Sequence, residues 1–250
     1  MSKGIALVTG AGSGIGRSCA IALAADGWTV VLTGRRNEAL QGTIDEAGSH
    51  GARMQAISCD VMDPASVDSL FGQIAKSHGR LDLVFNNAGN NVPPANIADL
   101  SFEQWRHVIS VNLDGAFLIA RGAFTLMRDQ TPKGGRIINN GSISAHVPRP
   151  GSAPYTSSKH AITGLTRCIS LDGRAFNIAC SQIDIGNAAS AMTDAMRKGV
   201  PQADGSMKPE PVMDVSNVAS SVVYMASLSL EANVQFMTVM ATNMPFIGRG

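Results

Sequence analysis

The stretch that most constrains the fold is a short apolar run with a glycine-rich loop directly after it. The run is Ile5-Ala6-Leu7-Val8, and its continuous apolar character is typical of a strand buried on both faces of a parallel sheet. Residues 9–16 read Thr-Gly-Ala-Gly-Ser-Gly-Ile-Gly, and apolar residues then recur at helical spacing to about Ala25. This order of strand, glycine turn and amphipathic helix predicts the start of a parallel α/β sheet.

The glycine loop predicts a phosphate-binding site. Its small residues let backbone N–H groups approach an anion, and the helix that begins near the end of the loop points its positive end toward the same place. A lone glycine-rich loop is often only a turn, but the preceding strand and the following helix favour a dinucleotide site. The residues predicted to bind the cofactor here are Gly10, Gly12, Ser13, Gly14, Ile15 and Gly16.

The end of the second predicted strand, residues 29–33, indicates which dinucleotide is bound. Gly34-Arg35-Arg36 follows it and lacks the acidic residue that would bind the 2′-hydroxyl of the adenosine ribose. Arginines suit a 2′-phosphate, and Arg35 is the first choice for that contact, with Arg36 the second. We therefore favour NADP as the cofactor. The alternative is an NAD enzyme in which one arginine stacks on the adenine.

Asp60 and Val61 close a third predicted strand at residues 54–58. The carboxylate of Asp60 is placed to meet the adenine amino group, and a cap or turn role for this aspartate is an equal alternative. We include both residues among the predicted cofactor contacts.

A fourth predicted strand, residues 81–85, runs into Asn86-Asn87-Ala88-Gly89. Small residues after a buried strand fit a backbone that passes close to the cofactor, and asparagine amides can tie neighbouring strands together. Asn87, Ala88 and Gly89 complete the predicted cofactor site.

Strand and helix patterns alternate along the rest of the chain. Helices are predicted at 37–49, 64–77, 153–172 and 215–227, and strands at 136–140, 177–183 and within 232–242. Residues 102–127 keep helical spacing throughout, which predicts a long, bent helix. Asn112 interrupts its apolar face, and such a residue is either satisfied locally or holds a water against the helix backbone.

Ser142, Tyr155 and Lys159 form the candidate catalytic group. Ser142 follows the strand at 136–140, at the end of a parallel sheet where ligands bind. Tyr155 and Lys159 are four residues apart in a predicted helix, so both project from one face. An adjacent ammonium favours the phenolate and would lower the tyrosine pKa. An isolated Tyr-x-x-x-Lys is usually a buried aromatic beside a solvated lysine, so this assignment depends on the other motifs.

Residues 186–211 are predicted to form a mobile cover over the substrate, because they combine prolines with methionines. Met192, Met196 and Met207 hint at an apolar substrate, although core packing is the favoured explanation. His146 and His160 are interpreted as solvated or capping side chains. The five histidines show no ligand spacing, so we predict no metal site.

The composition favours one large α/β domain over residues 1–250, because 250 residues with 44% apolar residues can bury a sizeable core. A net charge of +1 without a basic run argues against nucleic acid and anionic membranes as partners, and we expect no apolar run of membrane-spanning length. The predicted partners are a small molecule and copies of this chain. Residues 153–172 are apolar on more than one side, which favours a homo-oligomer, a dimer or a tetramer.

The cysteines indicate a reducing environment. Cys19, Cys59, Cys168 and Cys180 are widely spaced, and three of them lie in apolar segments, which favours buried free thiols over disulfides or a metal site. The N-terminus enters a strand without a preceding signal peptide. We therefore predict a cytoplasmic location.

The motifs together resemble the short-chain dehydrogenase/reductase family. The motifs concerned are the glycine loop, Asn86-Asn87-Ala88-Gly89, Asn112, Ser142 and Tyr155-x-x-x-Lys159. Their order and spacing match over nearly the whole chain, and the set is far more specific than any one member. The resemblance implies a single-domain, doubly wound Rossmann fold of about seven parallel strands that binds NAD or NADP, commonly as a homotetramer. A general similarity to 3-oxoacyl-carrier-protein reductases adds a 3-oxoacyl compound to the candidate substrates.

The same resemblance implies a role for each candidate residue. Tyr155 would give or take the proton, and Ser142 would orient the substrate oxygen. Lys159 would lower the tyrosine pKa and hold the nicotinamide ribose, so Tyr155 and Lys159 count among the cofactor contacts too. Asn112 would anchor a water relay. The implied reaction moves a hydride between nicotinamide and a carbonyl compound or secondary alcohol.

Three departures from the family pattern concern the cofactor and the assembly. Residues 180–186 lack the Pro-Gly pair that many relatives carry, which puts the nicotinamide amide contacts in doubt. Residues 244–250 replace the usual Asp-Gly-Gly ending, which puts inherited tetramer contacts in doubt. Ser13 occupies a position that is often basic in NADP-preferring relatives.

Three other functions compete with the favoured one. They are an NAD-dependent alcohol dehydrogenase of the same fold, a dinucleotide-sensing regulator without chemistry, and a sugar-nucleotide epimerase or dehydratase of the extended branch. A regulator would be expected to lose the tyrosine or the lysine, and an extended enzyme would have a longer chain and a different glycine loop. Substrate choice is expected to depend on residues 92–98, 146–153 and 186–211.

Overall fold

The computed structural model describes residues 2–189 and 194–247. The strands, in chain order, are β1 (Ile5–Thr9), β2 (Thr29–Gly34), β3 (Met54–Ser58), β4 (Leu83–Asn86), β5 (Gly135–Asn140), β6 (Ile178–Ile185), β7 (Val200–Pro201), β8 (Met207–Lys208) and β9 (Phe236–Val239). Seven of them form one parallel sheet in the order β3-β2-β1-β4-β5-β6-β9, and β7 and β8 form a separate antiparallel pair. The predicted doubly wound α/β class is confirmed. That the chain is a single domain stays a prediction.

Helices cover both faces of the sheet. They are α1 (Gly14–Ala25), α2 (Asn37–Glu46), α3 (Pro64–His78), α4 (Phe102–Ile109), α5 (Ala116–Asp129), α6 (Ala153–Asp172), α7 (Asp194–Lys198) and α8 (Ser216–Ser227). The bounds of α6 and β3 match the predicted ones, and the other predicted elements differ by a few residues at their ends. The largest difference is α2, which ends at Glu46 and passes into a 3₁₀ turn, Gly48–Arg53.

The continuous apolar runs arise because each central strand serves two cores. In β1, Ala6 and Val8 join the core under α1 and α8, whereas Leu7 points to the opposite core under α3, α5 and α6. Adjacent side chains of a strand point to opposite faces, so a strand covered on both sides needs apolar residues at every position.

The predicted bend between α4 and α5 is a π-helical turn, Ser110–Gly115, that contains Asn112. A π turn inserts an extra residue into the helix and turns the local side chains toward a new direction. The turn passes close to the end of β3, because a Cβ on Gly115 would come within 2.8 Å of Val61. The backbone at Asn112 is thereby brought next to the carboxyl ends of the strands.

The same helical unit bears on the expectation about membranes. From Phe102 to Asp129 the chain is helical for 28 residues, and its most apolar window has a mean hydropathy of 1.2, so by length and composition it is long and apolar enough to cross a membrane. It is not an uninterrupted apolar run, since Asp114 and Arg121 lie within it, so the expectation that no apolar run reaches this length is not contradicted. Half of that window is buried inside the protein, as in the core helix of a folded domain.

A buried arginine ties the C-terminal region to the sheet. The guanidinium of Arg136 on β5 donates to the carbonyls of Leu228, Ser229 and Ala232 at 3.3, 3.1 and 2.8 Å, and to Asn233 Oδ1 at 2.7 Å. These bonds give partners to backbone carbonyls in the segment that follows α8. The chain is thereby led back to β9, at the edge beside β6.

Candidate active site

The carboxyl ends of β1, β4, β5 and β6 bring the candidate catalytic residues together. Ser142 follows β5, Tyr155 and Lys159 project from α6, and Asn112 lies in the π turn. The Lys159 side chain crosses to β5, where its Nζ donates to the carbonyl of Asn140 at 2.7 Å, and lies 5.5 Å from the centre of the Tyr155 ring. The two side chains therefore share one face of α6, as their spacing predicts.

The hydroxyl of Ser142 is oriented by two contacts. Its Oγ accepts a hydrogen bond from the backbone N–H of Ser144 at 3.1 Å and is also hydrogen-bonded to Tyr155. Since the oxygen already accepts from Ser144, its own proton can be donated toward the phenol or a substrate oxygen.

Burial controls the ionisation of Tyr155 and Lys159. It raises the pKa of Tyr155 above its ordinary value, while the hydrogen bond with Ser142 and the charge of Arg149 partly offset this rise. Burial also lowers the pKa of Lys159 from 10.5 to about 8, although the charge of Asp184 acts in the opposite direction. The protein alone thus shifts the tyrosine pKa against the predicted direction. Arg149, which sequence reasoning missed, is the cation that lowers it.

Asn112 is held by local contacts. Its Nδ2 donates to the carbonyl of Asn90 at 3.0 Å and to Ser158 Oγ at 3.3 Å, and its Oδ1 accepts from the N–H of Asn90 at 2.8 Å. Both amide protons and the oxygen are accounted for, which agrees with the local alternative. The water relay stays a prediction.

Two adjoining cavities contain every residue predicted to contact the cofactor. The first is lined by Gly12, Arg35, Arg36, Asp60 and Val61, and the second by Gly14, Ile15, Gly16, Asn87, Tyr155 and Lys159. Gly10, Ser13, Ala88 and Gly89 line both, so the cavities form one elongated cleft. The second cavity adds Ile185, Gly186 and Ala188, which sequence reasoning had not named as contacts.

The glycine loop meets the steric conditions of a phosphate cradle. Gly10 has a φ of +65°, and a Cβ on Gly16 would strike the carbonyl of Gly10 and come within 2.7 Å of Asn87 Nδ2. The first residues of α1 line the cleft, and the side chain of Ser13, at the N-cap position, makes no capping hydrogen bond. The cleft therefore fits a dinucleotide whose pyrophosphate lies at the start of α1.

The asparagines after β4 tie strands together, as predicted. Asn87 donates to the carbonyl of Thr9 at 2.9 Å and accepts from Asn140 Nδ2 at 2.8 Å, and Asn86 donates to Asn139 Oδ1 at 3.1 Å. These bonds join β1, β4 and β5 at the site.

Asp60 and the arginines after β2 lie where the adenosine end of the cleft is expected. Asp60 Oδ1 accepts from the N–H of Met62 at 3.0 Å, so the aspartate stabilises a turn while it also lines the cavity. Arg35 and Arg36 are exposed and form no ion pair with a described residue.

Arg149 connects the loop before α6 to the predicted cover. Its Nη2 lies 2.6 Å from Glu210 Oε2 and 2.9 Å from Asn187 Oδ1, and Glu210 accepts further bonds from Asn187 at 2.9 Å and Gln202 at 3.1 Å. Burial alone would raise the pKa of Glu210, but these hydrogen bonds and the arginine charge outweigh it and leave the pKa below its usual value. The described part of the cover is therefore anchored to the site. Its mobility stays a prediction.

The two described methionines of the cover, Met196 and Met207, lie outside the buried core clusters. Met207 is 63% exposed, and Met196 accepts a contact from Arg149 at 3.4 Å. The favoured explanation by core packing was therefore wrong for these two residues, and Met192 lies outside the described residues.

The C-terminal tail, residues 244–250, is described in part. Met244 packs against Ile143, which directly follows Ser142, whereas residues 248–250 lie outside the described residues.

His146 and His160 differ in their contacts. His160 is exposed to solvent, as predicted, and its Nδ1 lies 2.9 Å from the carbonyl of Thr156 one turn earlier in α6. His146 Nε2 lies 2.9 Å from the buried carboxylate of Asp184, which is more than a solvated or capping role.

Among the described residues, no cluster of histidine, cysteine or acidic side chains could hold a metal ion. The four cysteines are free thiols, buried except for Cys168.

Comparisons with known proteins agree with this geometry. The family model for short chain dehydrogenases matches residues 4–201. A 3beta-hydroxysteroid dehydrogenase of Mediterraneibacter gnavus is 37% identical over 193 residues, which cover 76% of this chain and 68% of the relative. A variant of actinorhodin polyketide ketoreductase, solved with NADPH, superposes with a TM-score of 0.86 at 26% identity over 96% of this chain and 98% of that one.

One more solved structure supports the fold alone. A 3-ketoacyl-(acyl-carrier-protein) reductase of Brucella melitensis, in complex with NADH, superposes with a TM-score of 0.84 at 22% identity, covering 95% of this chain and 97% of that one.

Proposed function

The chain belongs to the short-chain dehydrogenase/reductase family of enzymes, which act on CH–OH or C=O groups, and from this premise we propose that it transfers a hydride between NADP and a carbonyl compound or secondary alcohol, with Tyr155 as the proton donor or acceptor. The observation that carries the proposal is the meeting of Tyr155 and Lys159 with the glycine loop in one cleft, with Ser142 beside the Tyr155 phenol.

The chemistry follows from where the polar atoms lie. When bound, nicotinamide supplies or takes up the hydride at the substrate carbon. The Tyr155 hydroxyl gives a proton to the substrate oxygen in reduction and removes it in oxidation. The Ser142 hydroxyl donates a hydrogen bond to the same oxygen as charge develops on it. Lys159 supplies a cation beside the phenol and holds the nicotinamide ribose, and Asn112 anchors a water relay.

NADP is favoured because Arg35 and Arg36, two exposed arginines that form no ion pair with a described residue, line the adenosine end of the cleft, and no acidic residue follows β2 directly. A 2′-phosphate would gain charge-assisted hydrogen bonds from Arg35, with Arg36 as the second contact. The glycine loop would hold the pyrophosphate, and Asp60 and Val61 would contact the adenine.

The substrate is proposed to be a carbonyl compound or alcohol with an apolar body. Next to Ser142, Ile143 packs against Ala241 and Met244, with Met213, Met240 and Phe246 around them. A 3-oxoacyl compound is one candidate of this class. A panel of ketones and secondary alcohols, assayed by the absorbance of the reduced cofactor, tests the reaction; no turnover with any member contradicts it.

Arg35→Ser is expected to lower kcat/KM with NADPH by about 10–100-fold and to leave kcat/KM with NADH within about 3-fold, because it removes a charged hydrogen bond made only to the 2′-phosphate. Steady-state kinetics of the wild type and the variant with both cofactors measure this. Arg53→Ser is the matched control, since Arg53 is exposed and does not line the cleft. A strong NADH preference of the wild-type enzyme would contradict the role of Arg35.

We also propose that the chain folds as a single domain and that the protein is cytoplasmic. It is further proposed to assemble as a homodimer or homotetramer. Exposed apolar side chains on α5, α6 and α8 support the assembly: Phe117, Leu171 and Tyr224. Light scattering coupled to size-exclusion chromatography measures the mass, and a monomer at micromolar concentration contradicts the assembly.

A further inference from the structure

A buried carboxylate lies directly beside Ser142. Asp184, near the end of β6, is 1% exposed, and its Oδ1 accepts from the backbone N–H of Ser142 at 3.0 Å and from Gln182 Nε2 at 2.7 Å. Its Oδ2 lies 2.9 Å from Nε2 of His146. The carboxylate thus joins β6 to the turn after β5. It belongs to residues 180–186, the segment that departs from the family pattern.

The turn after β5 is built around this carboxylate. A Cβ on Gly141 would clash with Asp184 Oδ1 and lie 2.8 Å from the Gln182 side chain. Only glycine therefore fits at this position. The N–H of Gly141 continues the sheet by donating to the carbonyl of Ile183 at 2.9 Å. A buried carboxylate is costly unless donors surround it, and here a backbone amide, a side-chain amide and an imidazole do so.

We infer that Asp184 is a positioning residue for Ser142: it holds the serine backbone, and through it the hydroxyl, in the direction of Tyr155. The inference rests on the proposed function. Ser142 has an extended backbone, with φ −167° and ψ 154°, and it has three polar anchors: Asp184 at the N–H, Ser144 at Oγ, and the N–H of Ala145, which donates to its carbonyl at 2.8 Å. Without Asp184, the Ser142 N–H loses its acceptor and the turn is free to rotate. A misplacement of about 1 Å at a reacting group can cost about 100-fold in rate.

His146 contacts the second oxygen of the Asp184 carboxylate. With Oδ2 as the acceptor, Nε2 carries a proton, so the contact selects the neutral tautomer with Nε2–H or the imidazolium. An asparagine at position 184 can keep its oxygen toward Ser142 and turn its NH₂ group toward His146, which then accepts at Nε2 as the other tautomer. Asp184→Asn therefore keeps the contact that positions Ser142, whereas Asp184→Ala removes it.

A double-mutant cycle between positions 184 and 142 tests the inference. Asp184→Ala is expected to lower kcat about 10–100-fold, with the dissociation constant of the dinucleotide within about 3-fold, and Asp184→Asn to recover kcat to within about 5-fold of the wild type. In a Ser142→Ala background, Asp184→Ala is expected to lower kcat by less than about 3-fold, because there is no hydroxyl left to position.

Amide hydrogen exchange at Ser142, measured by NMR, should accelerate in Asp184→Ala and stay slow in Asp184→Asn.

The matched control is Asp82→Ala. Asp82 holds a backbone N–H of another strand, that of Ile5, at 2.8 Å, but at the amino ends of β1 and β4, away from the carboxyl ends where the site lies. Its loss is expected to lower Tm and to leave kcat within about 2-fold. Full additivity in the cycle, or equal loss of kcat in Asp184→Asn and Asp184→Ala, would overturn the inference. Unchanged amide exchange at Ser142 in Asp184→Ala would overturn it whether or not a substrate is known, whereas an active Tyr155→Phe variant would overturn the proposed function alone.

Discussion

Tyr155→Phe is expected to lower kcat by about 10²–10⁴-fold while the dissociation constant of the dinucleotide changes by less than about 3-fold. The substitution removes only the hydroxyl that exchanges a proton with the substrate oxygen, and general acid–base catalysis contributes about this factor. The ring stays in place over the Lys159 ammonium, so the cleft keeps its shape. Steady-state kinetics give kcat, and quenching of protein fluorescence gives the affinity for the cofactor.

The chain contains its own control for this substitution. Tyr224 is the second of its two tyrosines, exposed on α8 and followed by Leu228 rather than a lysine four positions later. Tyr224→Phe is expected to leave kcat within about 2-fold. Near wild-type turnover of Tyr155→Phe on any accepted substrate would exclude the phenol as the proton donor or acceptor.

Lys159→Met is expected to abolish most turnover and yet to stabilise the folded protein. Lys159 is 4% exposed, and burial lowers its pKa to about 8. Below pH 8 the lysine is charged in the folded and the unfolded state, and holding that charge in the interior costs about 3 kcal/mol of folding free energy. Methionine removes this cost and loses the bond to Asn140, worth about 1 kcal/mol. A net gain of about 2 kcal/mol is expected at pH 7.

The pH dependence separates this effect from ordinary repacking. Between pH 8 and 10.5 the unfolded chain binds more protons at this lysine than the folded protein does, so the stability contributed by this group rises with pH in the wild type. The advantage of Lys159→Met should therefore shrink across that window. Urea unfolding at several pH values measures it, with Lys76→Met, on the exposed side of α3, as control. If the difference in unfolding free energy between Lys159→Met and the wild type did not change with pH, Lys159 would not be a buried charge.

The active site concentrates buried polar and charged groups. Lys159 and Asp184 are buried charges on neighbouring elements, and Tyr155 is a phenol that burial keeps protonated. Lys159 donates to the end of another element, β5, and Asp184 accepts from the turn after β5 as well as from Gln182 on its own strand. Sites that combine such groups commonly reduce stability in return for activity.

Local patterns were sufficient for the elements and for much of the site. An apolar run such as Ile5 to Val8 predicts a strand with two covered faces, because side chains alternate between them, and the glycine loop predicts the turn that follows. The spacing of Tyr155 and Lys159 places both on one face of α6 without any knowledge of the sheet. The cleft around them then follows from the rule that parallel strands bind ligands at their carboxyl ends.

Local patterns could not predict the partners that hold the site. Asp184 contacts Ser142 from 42 residues away, and Arg149 pairs with Glu210 across 61 residues, and no period in the sequence relates such positions. The direction of the Tyr155 pKa was missed for the same reason, since it depends on how deeply neighbouring elements bury the phenol.

Spacing along single segments was therefore enough to predict the order of strands and helices, the glycine cradle and the tyrosine–lysine face. The charged side chains around that face became visible only in the folded structure, since their identity depends on which strand ends and loops meet after the sheet has formed.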